Sequence, residues 1–390
     1  MKKQQGAPYL LSAIIVATVC LRAPITAVGP LIGSIRASVP LPSSILGLLT
    51  TIPLVMFALV SPFVSRINTR MGTGRTMLYS LLVMAAGLLM RSYAGGWGMF
   101  LGTVLLGFGV SFGNVLIPGV IKAEFPLRIG MVTSAFTIAM SSFAALSSAI
   151  SYPLSCAPGL DWRHSLAVWL IPVLAAALLW FFIRKERYSG QEPLVEDAPR
   201  PSVYRSPIAW WLTVLMGAQA LMFYLFSAWL PSILQSRGIS PEHAGYITFA
   251  YQLMTMPSSF LIPALAMRRP DQKGVTAILA LVYAVSVTVF TFARSTVLTT
   301  VSVMVCGFST GACFSLCMLL IGLRTATAKR AVQLSGMVQS LGYGIAAVGP
   351  TFAGFLFDQT GSWTTPLLST LSLTVLIFLA GRKAGENRLV

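Results

Sequence analysis

The chain has 390 residues, 56% hydrophobic and 9% charged, with a formal net charge of +17 and a mean hydropathy of +0.80. A soluble domain carries about 25% charged residues, and a chain this apolar has too little polar surface to cover a water-soluble fold. Disorder, coiled coil and collagen are excluded by the same figures.

A membrane-crossing helix needs roughly 20 mostly apolar residues. Twelve such segments follow one another: 8–35, 43–65, 76–93, 97–121, 129–153, 164–183, 207–235, 243–267, 275–293, 297–323, 331–357 and 363–381. All are expected to be helices, because spanning strands are shorter and alternate polar with apolar residues. Met1-Lys2-Lys3 before an apolar run could imitate a secretory signal. Eleven further spans and no clear cleavage site make it the first helix instead.

The first span holds Arg22, with Thr18 and Thr26 four residues either side and Gly29 seven on, which gives one small, polar face. The fourth carries Ser111 and Asn114, the seventh Gln219 and Tyr224, and the eighth Gln252 between Thr248 and Thr255. The eleventh carries Gln339 and Tyr343, spaced i and i+4 on a shared face. The longest hydrophilic stretch, 184–206, holds four of the ten acids and three prolines and reads as a cytoplasmic linker. The expected organisation is thus an N-terminal six-helix bundle over 1–183 and a C-terminal six-helix bundle over 207–390. The halves echo each other at an offset near 200: Gly107-Phe108 with Gly307-Phe308, Ile121 with Ile321, Pro30 with Pro231, and Gly74 with Gly274. Gly130-Met131-Val132 matches Gly336-Met337-Val338. Parallel repeats of this kind imply a substrate site near the midplane between halves.

With the N-terminus inside, 21 of the 27 Lys and Arg residues fall on the inner side. Five (Arg36, Arg91, Arg163, Arg237 and Arg294) fall on the outer side, and Arg22 alone is left within the bilayer. This split follows the positive-inside rule and places both termini in the cytoplasm. The charges flank lipid and form no single face, so no nucleic-acid partner is expected.

The spans hold no confident Asp or Glu, which makes Arg22 the one ionised side chain deep in the membrane. Such residues are costly and usually face a cavity. A guanidinium can grip a planar anion with two parallel donors; the alternative is a structural arginine bonded to helix-end carbonyls, or one that snorkels. Asn114, Gln219, Tyr224, Gln252, Gln339 and Tyr343 are the further substrate-binding candidates. Each could instead be interhelical glue, worth about 0.6 kcal/mol on average. Gly109-Val110-Ser111-Phe112-Gly113 and Gly307-Phe308-Ser309-Thr310-Gly311 both read GxSxG. A nucleophile elbow needs a preceding strand and an activating His, whereas these lie inside apolar helices and read as small residues for close packing. Cys306, Cys313 and Cys317 stack on one helix face and read as buried packing residues rather than a soft-metal set. No enzymatic activity, cofactor or metal is expected.

The basic loop after the second span, with Arg70-Met71-Gly72 and Gly74-Arg75, resembles a worn copy of the major facilitator superfamily signature. Thr69 or Ser65 stands where that signature carries Asp. Further stretches resemble the cyanate permease and 2-nitroimidazole transporter branch: Leu21-Arg22, Val28-Gly29-Pro30-Leu31, residues 113–119 (GNVLIPG), residues 205–210 (RSPIAW), Trp229-Leu230-Pro231 and residues 335–343 (SGMVQSLGY). The resemblance implies an all-helical fold of two pseudo-symmetric six-helix bundles, working as a bacterial inner-membrane permease by alternating access. Carried over by position, it implies Arg22, Asn114, Gln252, Gln339 and Tyr343 as polar cavity residues. The fifth span lacks the Gly-Pro motif of the drug-efflux subgroup; Gly349-Pro350 with Gly354 occurs in the eleventh instead.

The expected function is secondary or facilitative transport of a small polar or anionic solute bound by Arg22. The alternative is export of neutral nitroimidazole-like or other toxic aromatic compounds, stacking on Phe112, Phe223, Tyr224, Tyr251 and Phe314. The expected partners are the substrate and the lipid bilayer around a monomer. Proton coupling is left open, although no membrane carboxylate is available to carry it.

Overall fold

A computed structural model describes residues 2–39, 43–185 and 202–390. Among them the regular structure is helical: α1 (Lys2–Thr26), α2 (Ile32–Ser38), α3 (Ser43–Met71), α4 (Thr73–Tyr93), α5 (Gly95–Glu124), α6 (Ile129–Ser155), α7 (Trp162–Ala167) and α8 (Leu170–Phe182) lead to α9 (Pro207–Ser236), α10 (Pro241–Ala266), α11 (Lys273–Phe292), α12 (Thr296–Leu323), α13 (Ala328–Thr360) and α14 (Thr364–Ala384). Eleven stretches among the described residues are long and apolar enough to cross a membrane. The remaining expected span, 243–267, corresponds to α10, 26 residues long, whose polar content includes Thr248, Gln252, Thr255, Ser258 and Ser259.

Two expected spans prove to be composite. The first does not continue as one helix to residue 35: α1 stops at Thr26, a 3-10 turn covers Gly29–Leu31 and α2 follows. Pro24 brings no N–H to the helical ladder, and Pro30 disfavours helical geometry at Gly29. The sixth is made of α7 and α8, with Asp161 as the N-cap of α7, accepting from the backbone N–H groups of Arg163 (2.9 Å) and His164 (3.2 Å).

The contacts divide the chain into two compact units, Met1–Arg200 with Thr327–Gly336, and Pro201–Ala326 with Met337–Val390. The opening turns of α13 therefore group with the first unit. Most of the expected linker, residues 186–201, lies outside the described residues.

Each unit has the same internal pairing. In the first, α5 packs on α3 and α4, while α8 packs on α1 and α4. In the second, α12 packs on α10 and α11, while α14 packs on α9 and α11. Glycines set how closely these helices approach. A Cβ at Gly87 of α4 would lie 2.7 Å from the Gly102 carbonyl of α5, and one at Gly307 of α12 would lie 2.9 Å from the Tyr251 carbonyl carbon of α10. Helix backbones come this near only where no side chain intervenes. Gly307 and Gly311 form a small-xxx-small pair along that contact, since a Cβ at Gly311 would meet Thr255 Cα at 2.6 Å.

Candidate substrate-binding residues in each unit

In the first unit Arg22 is half-buried on α1, and its carbonyl accepts from Thr26 Oγ1 at 3.2 Å. Asn114 on α5 is buried. The residues just before them touch, for a Cβ at Gly113 would lie 3.3 Å from Leu21 Cγ. Arg22 and Asn114 therefore stand at one level, beside the α1–α5 contact. Asn114 Nδ2 donates to Val110 O at 3.4 Å, and its carbonyl accepts from Ser335 Oγ at 3.5 Å.

The threonines expected to flank Arg22 are engaged elsewhere. Thr18 Oγ1 donates back to Ile14 O at 2.7 Å, the usual way a hydroxyl is satisfied inside a helix. Thr26 Oγ1 meets Ser147 Oγ of α6 at 2.6 Å, and Ser148 Oγ donates to Thr26 O at 3.4 Å. They hold the end of α1 against α6. Ser111 and Ser309, the centres of the two GxSxG matches, are both helical, and their hydroxyls donate to Gly107 O (2.7 Å) and Val305 O (2.9 Å).

In the second unit Tyr224 of α9 and Tyr343 of α13 meet edge to face, with ring centroids 6.2 Å apart, and Phe223 lies 5.1 Å from Tyr224. Gln219 and Gln339 are buried on the same two helices. Their side-chain amides face methionine sulfurs: Gln219 Nε2 is 3.2 Å from Met216 Sδ, and Gln339 Nε2 is 3.9 Å from Met318 Sδ. Small residues bring α9 and α13 together, since a Cβ at Gly217 would sit 2.9 Å from Ile345 Cδ1 and one at Gly342 2.9 Å from Met216 Cγ. Farther along, Trp229 Nε1 donates to Pro350 O at 2.7 Å.

Gln252 is half-buried on α10, whose main neighbour is α12. The adjacent Tyr251 is fully buried. Its hydroxyl and that of Tyr283 meet Thr310 Oγ1 at 3.1 and 2.7 Å, and Thr310 donates to Cys306 O at 2.9 Å. Cys306 Sγ in turn reaches Ser286 Oγ at 3.2 Å. Tyr251 is thereby a core residue of the second unit and offers no free aromatic face.

Two arginines that the charge pattern places at the outer side (Arg91) and the inner side (Arg324) of the membrane are buried. Arg91, 1% exposed in the last turn of α4, donates from Nη1 to Pro24 O at 2.8 Å. The signal was available, because Arg91 lies inside the expected third span, 76–93. Arg324, 2% exposed at the end of α12, donates to Ala384 O and Gly385 O, both at 3.0 Å, and to Gln272 Oε1. Burial lowers the Arg324 pKa, while Asp271 opposes the shift. The acidic residues of the described regions stand at helix ends or between helices: Glu124 closes α5, Glu242 opens α10 and Asp358 lies in the last turn of α13.

Residues 14–347 match the family model of the Major Facilitator Superfamily. The chain is 38% identical to an uncharacterized transporter of Bacillus subtilis, over 98% of this chain and 94% of the relative. It is 35% identical to the 2-nitroimidazole transporter of Escherichia coli, over 97% of this chain and 96% of that one. Identity to the cyanate transport protein CynX of Escherichia coli is 26%, over 94% and 96%. The fold matches the proton:xylose symporter XylE with a TM-score of 0.80, covering 96% of this chain and 95% of that one at 14% identity.

Proposed function

Because the chain belongs to the Major Facilitator Superfamily, we propose that this transporter moves a small, planar, anionic or polar solute and that Arg22 is the charge that grips it. As members of this family do, it carries small solutes across a membrane by alternating access and is not an enzyme. The observation that carries the proposal is the contrast between the two arginines of the first unit. Arg91 is enclosed, while Arg22, four residues before the end of α1, keeps part of its surface open. A transported ligand needs a charge that it can reach and leave.

A guanidinium offers parallel N–H donors that suit a carboxylate-like or cyanate-like anion. One relative is a cyanate transport protein. Asn114, at the level of Arg22, is the second polar candidate in the first unit. Gln219, Tyr224, Gln252, Gln339 and Tyr343 are those of the second. With the acids of the described regions at helix ends, transport is coupled through the substrate's own proton or through exchange, or is facilitative and uncoupled, rather than driven through a membrane carboxylate. We further propose six-helix bundles over 1–183 and 207–390, a monomer, and cytoplasmic termini in a bacterial inner membrane.

The second reading is export of a neutral nitroimidazole-like compound, in line with another relative. Its support is the edge-to-face pair of Tyr224 and Tyr343, an uncharged aromatic contact half-buried at Tyr224 and buried at Tyr343. Competition in proteoliposomes separates the two. Uptake of labelled cyanate that small carboxylates inhibit, and that Arg22→Ala abolishes, supports the first reading. Transport of 2-nitroimidazole that Arg22→Ala leaves unchanged and Tyr343→Ala abolishes supports the second and refutes the first.

A further inference from the structure

The enclosed arginine plays no part in the transport reading. Among the described residues Arg91 makes one hydrogen bond, from Nη1 to the Pro24 carbonyl. That carbonyl is available because α1 is ending, and Val28 N turns to Ile25 O instead (3.4 Å). Anchored at Nη1, the guanidinium presents its opposite edge, where Nε–H and one Nη2–H run parallel. Nε and Nη2 are both buried and meet no hydrogen-bond partner among the described residues. The ion pairs of the described residues do not include Arg91.

Three more buried polar atoms that meet no partner among the described residues belong to the same end of this unit: Ser92 Oγ, Trp162 Nε1 and Trp169 Nε1. Ser92 is next to Arg91 in α4. Trp162 opens α7, which packs on α4 and brings the His164 ring within 6.0 Å of Tyr93. Trp169 precedes α8, which also packs on α4. Guanidinium and indole N–H groups donate and cannot accept. This end of the unit thus combines a surplus of buried donors with one full positive charge. The C-terminal carbonyls of α1 and α4 offset part of that charge through their dipoles. A buried ion without a counter-ion is otherwise strongly unfavourable, and an anion that only accepts hydrogen bonds answers both deficits.

We propose that this end of the first unit binds a small monovalent oxyanion of carboxylate or nitrate shape, seated on the Nε–Nη2 edge of Arg91. The parallel donors select a bidentate acceptor, and Ser92, Trp162 and Trp169 supply further donors. The enclosure of Arg91 limits the ligand to a few heavy atoms. The anion is a resident of the fold, separate from the transported solute assigned to Arg22.

The test is thermal unfolding of the purified full-length protein in detergent. Sodium gluconate, too large for an enclosed site, is replaced by sodium formate or sodium nitrate at constant ionic strength. The expected result is a saturable rise in Tm of about 2 °C at ten times the apparent Kd. That rise persists in Arg22→Ala and is lost in Arg91→Gln. Absence of a saturable rise in the parent overturns the proposal, as does an equal rise in Arg91→Gln. A rise lost in Arg22→Ala but kept in Arg91→Gln assigns the anion to the transport residue and also overturns it. If Arg91→Gln does not fold, Trp162→Phe and Trp169→Phe decide. A severalfold weaker apparent Kd in either supports the site, and an unchanged Kd in both refutes it.

Discussion

The α10–α12 contact allows a perturbation of one methyl group whose cost follows from the backbone. A Cβ at Gly307 would lie 2.9 Å from the Tyr251 carbonyl carbon and 3.0 Å from its Cα. Those atoms are main chain, and the Tyr251 carbonyl oxygen is nearer still, so no rotamer change relieves the overlap and α10 itself has to move away. The movement also strains the Tyr251–Thr310–Tyr283 hydroxyl cluster. Overpacking of this kind costs about 1–3 kcal/mol. Gly→Ala otherwise favours a helix by about 0.5–1 kcal/mol. Gly307→Ala is therefore expected to lose about 1–2 kcal/mol, lowering Tm by a few degrees. Gly245, on the same α10, has nothing within 4 Å of its Cβ position. Gly245→Ala is the control and leaves Tm unchanged or slightly higher. Because Tyr251 adjoins Gln252, Gly307→Ala also raises the apparent KM for transport more than Gly245→Ala does. Equal Tm values for the two variants, measured by fluorescence-detected thermal unfolding in one detergent, would refute the close-contact reasoning.

Other consequences are open to the same assays. Arg324→Ala removes the donor for Ala384 O, Gly385 O and Gln272 Oε1. Gly385 O keeps the Gln272 backbone N–H at 2.9 Å, but Ala384 O and Gln272 Oε1 lose the guanidinium. Each buried acceptor left unmade costs about 1–3 kcal/mol, so the variant unfolds below the parent and Arg324→Lys recovers part of the loss. Asp161 caps α7, and Asp161→Ala is expected to cost about 1 kcal/mol near neutral pH. Partial burial raises the Asp161 pKa, but hydrogen bonds from Arg163 and His164 outweigh it and hold the carboxyl below its ordinary 3.8. A depressed carboxyl stabilises the fold above its unfolded pKa and loses that contribution as pH falls through the folded one. The gap between parent and Asp161→Ala, followed by chemical denaturation, is thus constant from pH 7 to about pH 5 and closes below about pH 4.

The spans were legible because hydropathy over about 20 residues reports helix length directly. Their continuity was not. Pro24, Pro30 and the Asp161 cap break the first and sixth spans, and these local features do not change the averaged apolar signal. The repeat was legible as well, since Gly107 and Gly307, matched by position, both sit at close helix contacts. Of the candidate site, the sequence placed Arg22 and Asn114 on different spans without indicating that Leu21 and Gly113 touch. It grouped Thr18 and Thr26 with Arg22 by helical spacing, yet one hydroxyl turns to its own backbone and the other crosses to α6. Charge counting sorts residues by depth along the chain and is blind to direction. Arg91 and Arg324 were therefore assigned to the membrane boundary, although both point inward to carbonyls at helix ends. Residue type groups Tyr251 with the stacking aromatics and carries no sign that its hydroxyl meets Thr310 in the core of the second unit.

The central claim is that Arg22 is the charge that binds the transported solute, and charge substitution with uptake in proteoliposomes tests it most directly. A bidentate, charge-assisted bond is worth about 1.5–3 kcal/mol, or about 10- to 150-fold in affinity. The account predicts that Arg22→Ala lowers the initial rate of cyanate uptake at low substrate by at least tenfold. Arg22→Lys, which keeps the charge without the planar fork, is expected to fall between that variant and the parent. Uptake by Arg22→Ala at the parental rate, with protein levels matched in the vesicles, would contradict the account.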